Sequence, residues 1–142
     1  MGAQAVGEAI REVEDPPVLD EVVITLPASG AYLSVLRTAT AGLAARLDFT
    51  IDEIEDLRIA VDEACALLLP GAGPGAELTC RFLLEPAQLA VSVTVDGQGG
   101  RAPARDTFSW TVLHALAGEV QAAPNAAGDT TIRMVKRRGA QS

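Results

Sequence analysis

The chain has few aromatic residues: three Phe, one Tyr and one Trp among 142. Its hydrophobic share of 49% still supplies a core, which Ala, Val and Leu must therefore fill. Basic residues are also scarce, with 11 Lys and Arg against 19 Asp and Glu and a net charge of −8. Binding to phosphate backbones is driven by Lys and Arg displacing counterions, so no direct nucleic-acid partner is expected. No run of about 18 uncharged apolar residues occurs, and the start of the chain lacks the charged and apolar blocks of a signal peptide. No membrane association is expected, and the expected location is cytoplasmic. The two cysteines, Cys65 and Cys80, have neither metal spacing nor a C-x-x-C arrangement and read as small core residues. The single histidine, His114, has no carboxylate three or four residues away, so no metal site is expected.

What is present centres on Thr50–Leu69. Thr50 and Glu53 form a T-x-x-E capping box, the signature of a helix start. Ile54, Leu57, Val61, Ala64, Cys65 and Leu68 then recur at helical spacing and define one apolar face. A less regular stripe, Ile59, Glu63, Ala66 and Leu67, runs down the other side. Two apolar sides predict a helix covered twice, with Glu63 as a carboxylate in apolar surroundings. Pro70 and Gly71 end it.

Around this helix the chain divides into a loose acidic arm over 1–19, a domain over 20–138 and a tail over 139–142. Glu21–Leu26 reads as a strand stopped by Pro27, and Ser29 as the cap of a helix running to Leu47. Residues 70–75, mostly Gly and Pro, read as a mobile loop. Glu77–Glu85 and Leu89–Val95 read as a hairpin, followed by a Gly-rich loop to Arg105. Asp106 or Thr107 caps a third helix carrying Trp110, Leu113 and Ala117, and Thr130–Val135 is the last strand. Arg133 to Arg138 gathers basic charge and reads as a solubilising strand end. The order β-α-α-β-β-α-β predicts an α+β, two-layer α/β sandwich: one mixed sheet with three helices on one face.

Three stretches then stand in one order and spacing: Leu57-Arg-Ile-Ala-Val-Asp-Glu-Ala-Cys65, Val95-Asp-Gly-Gln-Gly-Gly100 and Gly128-Asp-Thr-Thr-Ile-Arg133. Together they resemble the anti-sigma factor kinases of the RsbW/SpoIIAB type, within the histidine kinase–gyrase–MutL ATPase superfamily. The resemblance covers about residues 20–138 and implies the histidine kinase-like ATPase fold. It also implies two protein partners, an alternative sigma factor and an anti-anti-sigma antagonist, and a homodimer. In the active kinases of this family, ATP and Mg²⁺ serve to phosphorylate a serine of the antagonist.

The nucleotide motifs are only partly kept. Glu63 matches the family's base, but Leu67 replaces the Asn that ligates Mg²⁺, and leucine offers no oxygen to a hard cation. Glu63 therefore reads as a vestigial base. Asp96 and Gly100 match the adenine-binding loop, while Gln98 replaces its middle glycine. Thr107 and Ser109 stand where the phosphate-binding loop has glycines, and Thr130 completes this degenerate ATP site. No cofactor is expected beyond weak ATP binding. Arg37, on the first helix, matches the arginine that contacts both protein partners. The resemblance thus implies an anti-sigma factor that sequesters a sigma factor and is relieved by competition. An active serine kinase with an unusual metal site, or a small-molecule sensor using the remodelled cleft, are the alternatives.

Overall fold

The structure, a computed structural model, describes residues 20–96, 108–124 and 129–139. Strand β1 (Asp20–Pro27) leads through a 3-10 turn at Gly30–Tyr32 into helix α1 (Leu33–Arg46) and then α2 (Ile51–Leu68). Strands β2 (Glu77–Glu85) and β3 (Gln88–Val95) follow, then helix α3 (Phe108–Leu116), β4 (Glu119–Pro124) and β5 (Thr130–Arg137). The five strands form one sheet in the order β1-β2-β3-β5-β4.

Every neighbouring pair in that sheet is antiparallel, which corrects the expected mixed sheet. The reason is β4, which the sequence reading missed. A helix alone between β3 and β5 would return the chain for a parallel pairing. The added strand reverses it once more, so β5 runs against β3. Glu-Val-Gln-Ala-Ala-Pro is hard to recognise as a strand because Ala and Pro are poor strand formers.

One sheet face builds the core. Alternate residues Leu78, Cys80, Phe82 and Leu84 of β2 are buried, as are Leu89, Val91, Val93 and Val95 of β3. The helices pack on this face, with α2 in the middle, touching both α1 and α3. Its predicted apolar face is buried: Leu57, Val61, Ala64, Cys65 and Leu68 have no exposed surface. The second stripe is only partly covered, less than expected. Ile59 is 40% exposed, Ala66 is exposed, and Glu63 and Leu67 are half-buried. The sheet lies under α2 and a helix lies on either flank, which leaves its outer side to solvent.

Local chemistry sets the element ends. Ser29 caps the 3-10 turn rather than α1 itself, its hydroxyl accepting from the Ala31 amide at 3.2 Å. In α1 the buried Thr40 hydroxyl donates to the Leu36 carbonyl at 2.7 Å. Asp48, between α1 and α2, holds a left-handed backbone (φ 61°), which Asp tolerates better than most residues. The loop after α2 is tied rather than loose. It holds a 3-10 turn at Leu69–Gly71, and the Ala28 amide donates to the Ala76 carbonyl at 2.9 Å. Both cysteines are free and buried, and burial pushes the Cys65 thiol up to about 12 and raises that of Cys80 as well.

The capping box forms as predicted. Thr50 Oγ1 accepts from the Glu53 amide at 3.1 Å, and Glu53 Oε1 accepts from the Thr50 amide at 2.8 Å. The second Glu53 oxygen reaches across the molecule to accept from the Gly139 amide at 2.9 Å. Nearby, Lys136 Nζ donates to the Leu116 carbonyl at the end of α3 and to Asp56 of α2. The start of α2, the end of α3 and the end of β5 are thereby joined.

Burial alone would raise the Glu53 carboxyl. The backbone amides of Thr50 and Gly139, with the Lys136 charge, outweigh burial and hold it below its ordinary value. A carboxyl held low stabilises the fold above its unfolded-chain value, and that contribution disappears as pH falls through the folded value. Glu53→Gln is therefore expected to cost about 1–2 kcal/mol at neutral pH, the range for hydrogen bonds to a charged group. The gap between variant and parent should close below about pH 4, read by urea unfolding at each pH.

Candidate functional site

Of the described motif residues, Glu63 and Leu67 lie in the C-terminal half of α2, and Asp96 and Thr130 lie at one end of the sheet. The contacts of Glu53 and Lys136 fix the start of α2 beside the end of β5, so α2 runs back along β5 toward Thr130. Glu63 and Leu67 lie one turn apart in that half of α2, and both are half-buried. Glu63 makes no hydrogen bond or ion pair among the described residues. Leu67 packs against the core, so the position that would need an oxygen donor for Mg²⁺ carries a hydrocarbon instead. Among the described residues no group of three or more His, Cys, Asp or Glu is placed to hold a metal ion.

Asp96 and Thr130 come together at the same sheet end. Val95 is the register partner of Thr130, and Asp96 follows directly. Thr130 is fully buried. Asp96 is half-buried, and its Oδ1 accepts from the Glu77 amide at 2.8 Å, closing the open end of the β2–β3 pair. One carboxylate oxygen of the adenine-site candidate is thus committed to the backbone. Ser109 is half-buried in the first turn of α3, and Phe108 beside it is 81% exposed. Gly100 and Thr107 lie outside the described residues. Trp110 is a core residue at 8% exposure, edge-on to the His114 ring at 5.2 Å. His114 itself is exposed.

Arg37 sits apart from this cleft, on the side of α1 that faces α2. Its Nε donates to both oxygens of Asp62, at 3.0 and 2.9 Å, and the pair is about one-third exposed (38% and 35%). The terminal amino groups of Arg37 make no hydrogen bond among the described residues. Asp62 was not singled out in the sequence, because the pairing spans 25 positions. Its only visible sign was a place directly before Glu63 in the helix motif.

A two-layer sandwich of antiparallel sheet and three helices, with motif residues at the end of the central helix, defines a histidine kinase-like ATPase fold. Solved structures agree on that fold. The RsbU and RsbW domains of Rv1364c from Mycobacterium tuberculosis superpose with a TM-score of 0.66 at 19% identity, covering 84% of this chain and 32% of that one. In sequence, the anti-sigma-F factor RsbW of Mycobacterium tuberculosis is 36% identical over 120 residues, covering 78% of this chain and 69% of the relative. The chain belongs to the RsbW family. The serine-protein kinases RsbW of Bacillus subtilis and Halalkalibacterium halodurans are 36% and 35% identical over 81 and 80 residues. Those matches cover 55% and 56% of this chain, and 51% and 49% of the relatives, about half their length. No family model matches the chain.

Proposed function

We propose that this chain is an anti-sigma factor of the cytoplasm. It holds an alternative sigma factor through α1 and its neighbourhood, and releases it when an anti-anti-sigma antagonist takes the same surface. The observation that carries this reading is the outer face of α1. Tyr32 and Val35 are 43% and 44% exposed, and Ser34, Thr38, Gly42 and Ala45 continue the face without a charge until Arg46. A helix side lacking charge on an acidic protein suits an apolar protein partner. The Arg37 amino groups beside it offer hydrogen bonds to a partner carboxylate. The relative named as an anti-sigma-F factor supports the same reading.

Sequestering needs no chemistry, so the cleft can lose catalysis without ending the function. Leu67 in the metal-ligand place and the commitment of Asp96 to Glu77 favour a scaffold without kinase activity. The second reading is an active serine kinase, which the relatives named as serine-protein kinases favour. Capture from host cytosol, using the tagged chain, is expected to recover a sigma factor. A fluorescent ATP analogue is expected to bind weakly and equally with or without Mg²⁺. Tight Mg²⁺-dependent binding, with phosphate transfer to a captured partner, would replace the first reading by the second. We also place the working unit as a homodimer.

A further inference from the structure

Arg58, in the middle of α2, carries a polar atom that nothing in the described fold satisfies. Its Nε is buried and has no hydrogen-bond partner among the described residues. One of its terminal amino groups donates to Glu55 at 3.1 Å, a contact one turn away on the same helix. Exposed pairs of this kind contribute little. A buried donor left without a partner costs more than such a pair contributes. Stability alone therefore gives no reason to hold an arginine here.

The position of Arg58 supplies one. The short link after α1 turns the chain back, so α1 and α2 lie side by side and run in opposite directions. Arg37 meets Asp62, which fixes their register. Arg58 stands one turn before Asp62 on the same side of α2, and so comes level with Ala41 of α1. Ala41 and Ala45 are small, and the Arg58 stem lies along the seam with 38% of the side chain still exposed. Arg37 is held in a similar way. Asp62 takes its Nε, and its terminal amino groups are unbonded among the described residues. Two guanidinium-bearing positions thus stand about one helical turn, roughly 5–6 Å, apart along one seam. Two turns before Arg58, on the same side of α2, Ile51 is 82% exposed.

We propose that Arg58 is a second partner-binding residue beside Arg37, and that the seam between α1 and α2 receives an acidic, amphipathic helix of the sigma factor. The proposal rests on the anti-sigma function proposed above. Asp62 and Glu55 each hold part of a guanidinium, and the remaining amino groups are left for carboxylates of the partner. The spacing sets the partner's pattern. It needs two carboxylates about four residues apart, then an apolar residue about seven further on to meet Ile51. Charge fixes where such a helix lies. Basic residues are few, 11 against 19 acidic, and two of them stand together here. Asp48 and Asp52, exposed at the near end of the seam, repel an acidic helix that settles out of register. The buried Nε then has a reason. A guanidinium already fixed in the seam loses little freedom when the partner arrives, and this offsets the unpaired donor.

The sigma factor captured from host cytosol by the tagged chain, once purified, is the probe. Arg58→Ala is expected to weaken its binding about tenfold. The melting temperature should stay level or rise, because the unpaired donor goes. A residue that only braced the helices would lower it. The loss of binding should shrink in about 0.5 M salt, where charges are screened. Glu55→Gln frees the guanidinium without removing it, and should bind within about threefold of the parent. Arg58→Gln keeps a long polar stem and should lose as much as Arg58→Ala, so it carries the test if alanine disturbs the seam. Parent-like binding by both Arg58 variants would overturn the proposal and leave the anti-sigma function standing. A loss of binding that tracks a fall in melting temperature would also overturn it. A parent chain that captures no sigma factor would overturn both.

Discussion

Arg37→Glu is expected to weaken sigma factor capture by at least about 100-fold, roughly 3 kcal/mol, while the fold survives. The intramolecular pair with Asp62 decides how such a loss is read. At about one-third exposure, that pair contributes at most about 1 kcal/mol to stability. A hundredfold loss of capture is therefore too large to be an indirect effect of a loosened α1–α2 contact. The exchange R37E/D62R separates the two roles directly. It restores opposite charges between the helices but puts the guanidinium on α2, so melting should recover and capture should not. Asp62→Ala frees Arg37 without removing it, and capture should stay within about threefold of the parent. If Asp62→Ala and Arg37→Glu lose capture equally, Arg37 is only a brace between helices. The docking role then belongs elsewhere.

Phe82→Ala should give the largest loss of stability, about 3–5 kcal/mol. Phe82 is fully buried in the second strand of the sheet, with register partners Val22 and Val91 on either side. In a chain with so few aromatic rings, its neighbours are mainly small and aliphatic. They can collapse only partly into the space a ring leaves. Against a total stability of about 5–15 kcal/mol, this loss is a large part of the whole. It should appear in urea unfolding as a lower midpoint with an unchanged slope. A cost below about 1 kcal/mol would mean that the helix layer settles onto the sheet more readily than close packing allows.

Much of this fold was legible because its signals are local. The capping box at Thr50 and Glu53 and the buried face from Leu57 to Leu68 needed only spacing to be seen. The β2–β3 hairpin announced itself through alternation around the turn at Pro86 and Ala87. The short Ala-rich strand at Glu119–Pro124 has no such pattern, and missing it changed the expected direction of the last strand. The exposure of Ile59 and Ala66 was equally hidden, because a sequence shows that a side is apolar but not what covers it. Of the site, the missing metal ligand at Leu67 was visible as a residue type. The committed oxygen of Asp96 and the tie from Arg37 to Asp62 were not, since each depends on a partner 19 or 25 positions away.

The link between the first two helices is short, and Asp48 holds it in a left-handed turn. Its length works like the teeth of a gear. One residue inserted there would rotate the first helix by about 100° relative to the second. Leu36, Thr40 and Ala44 would swing out of the interior, and the side offered to visitors would turn away. Across species, this hinge should therefore vary in composition far more freely than in length.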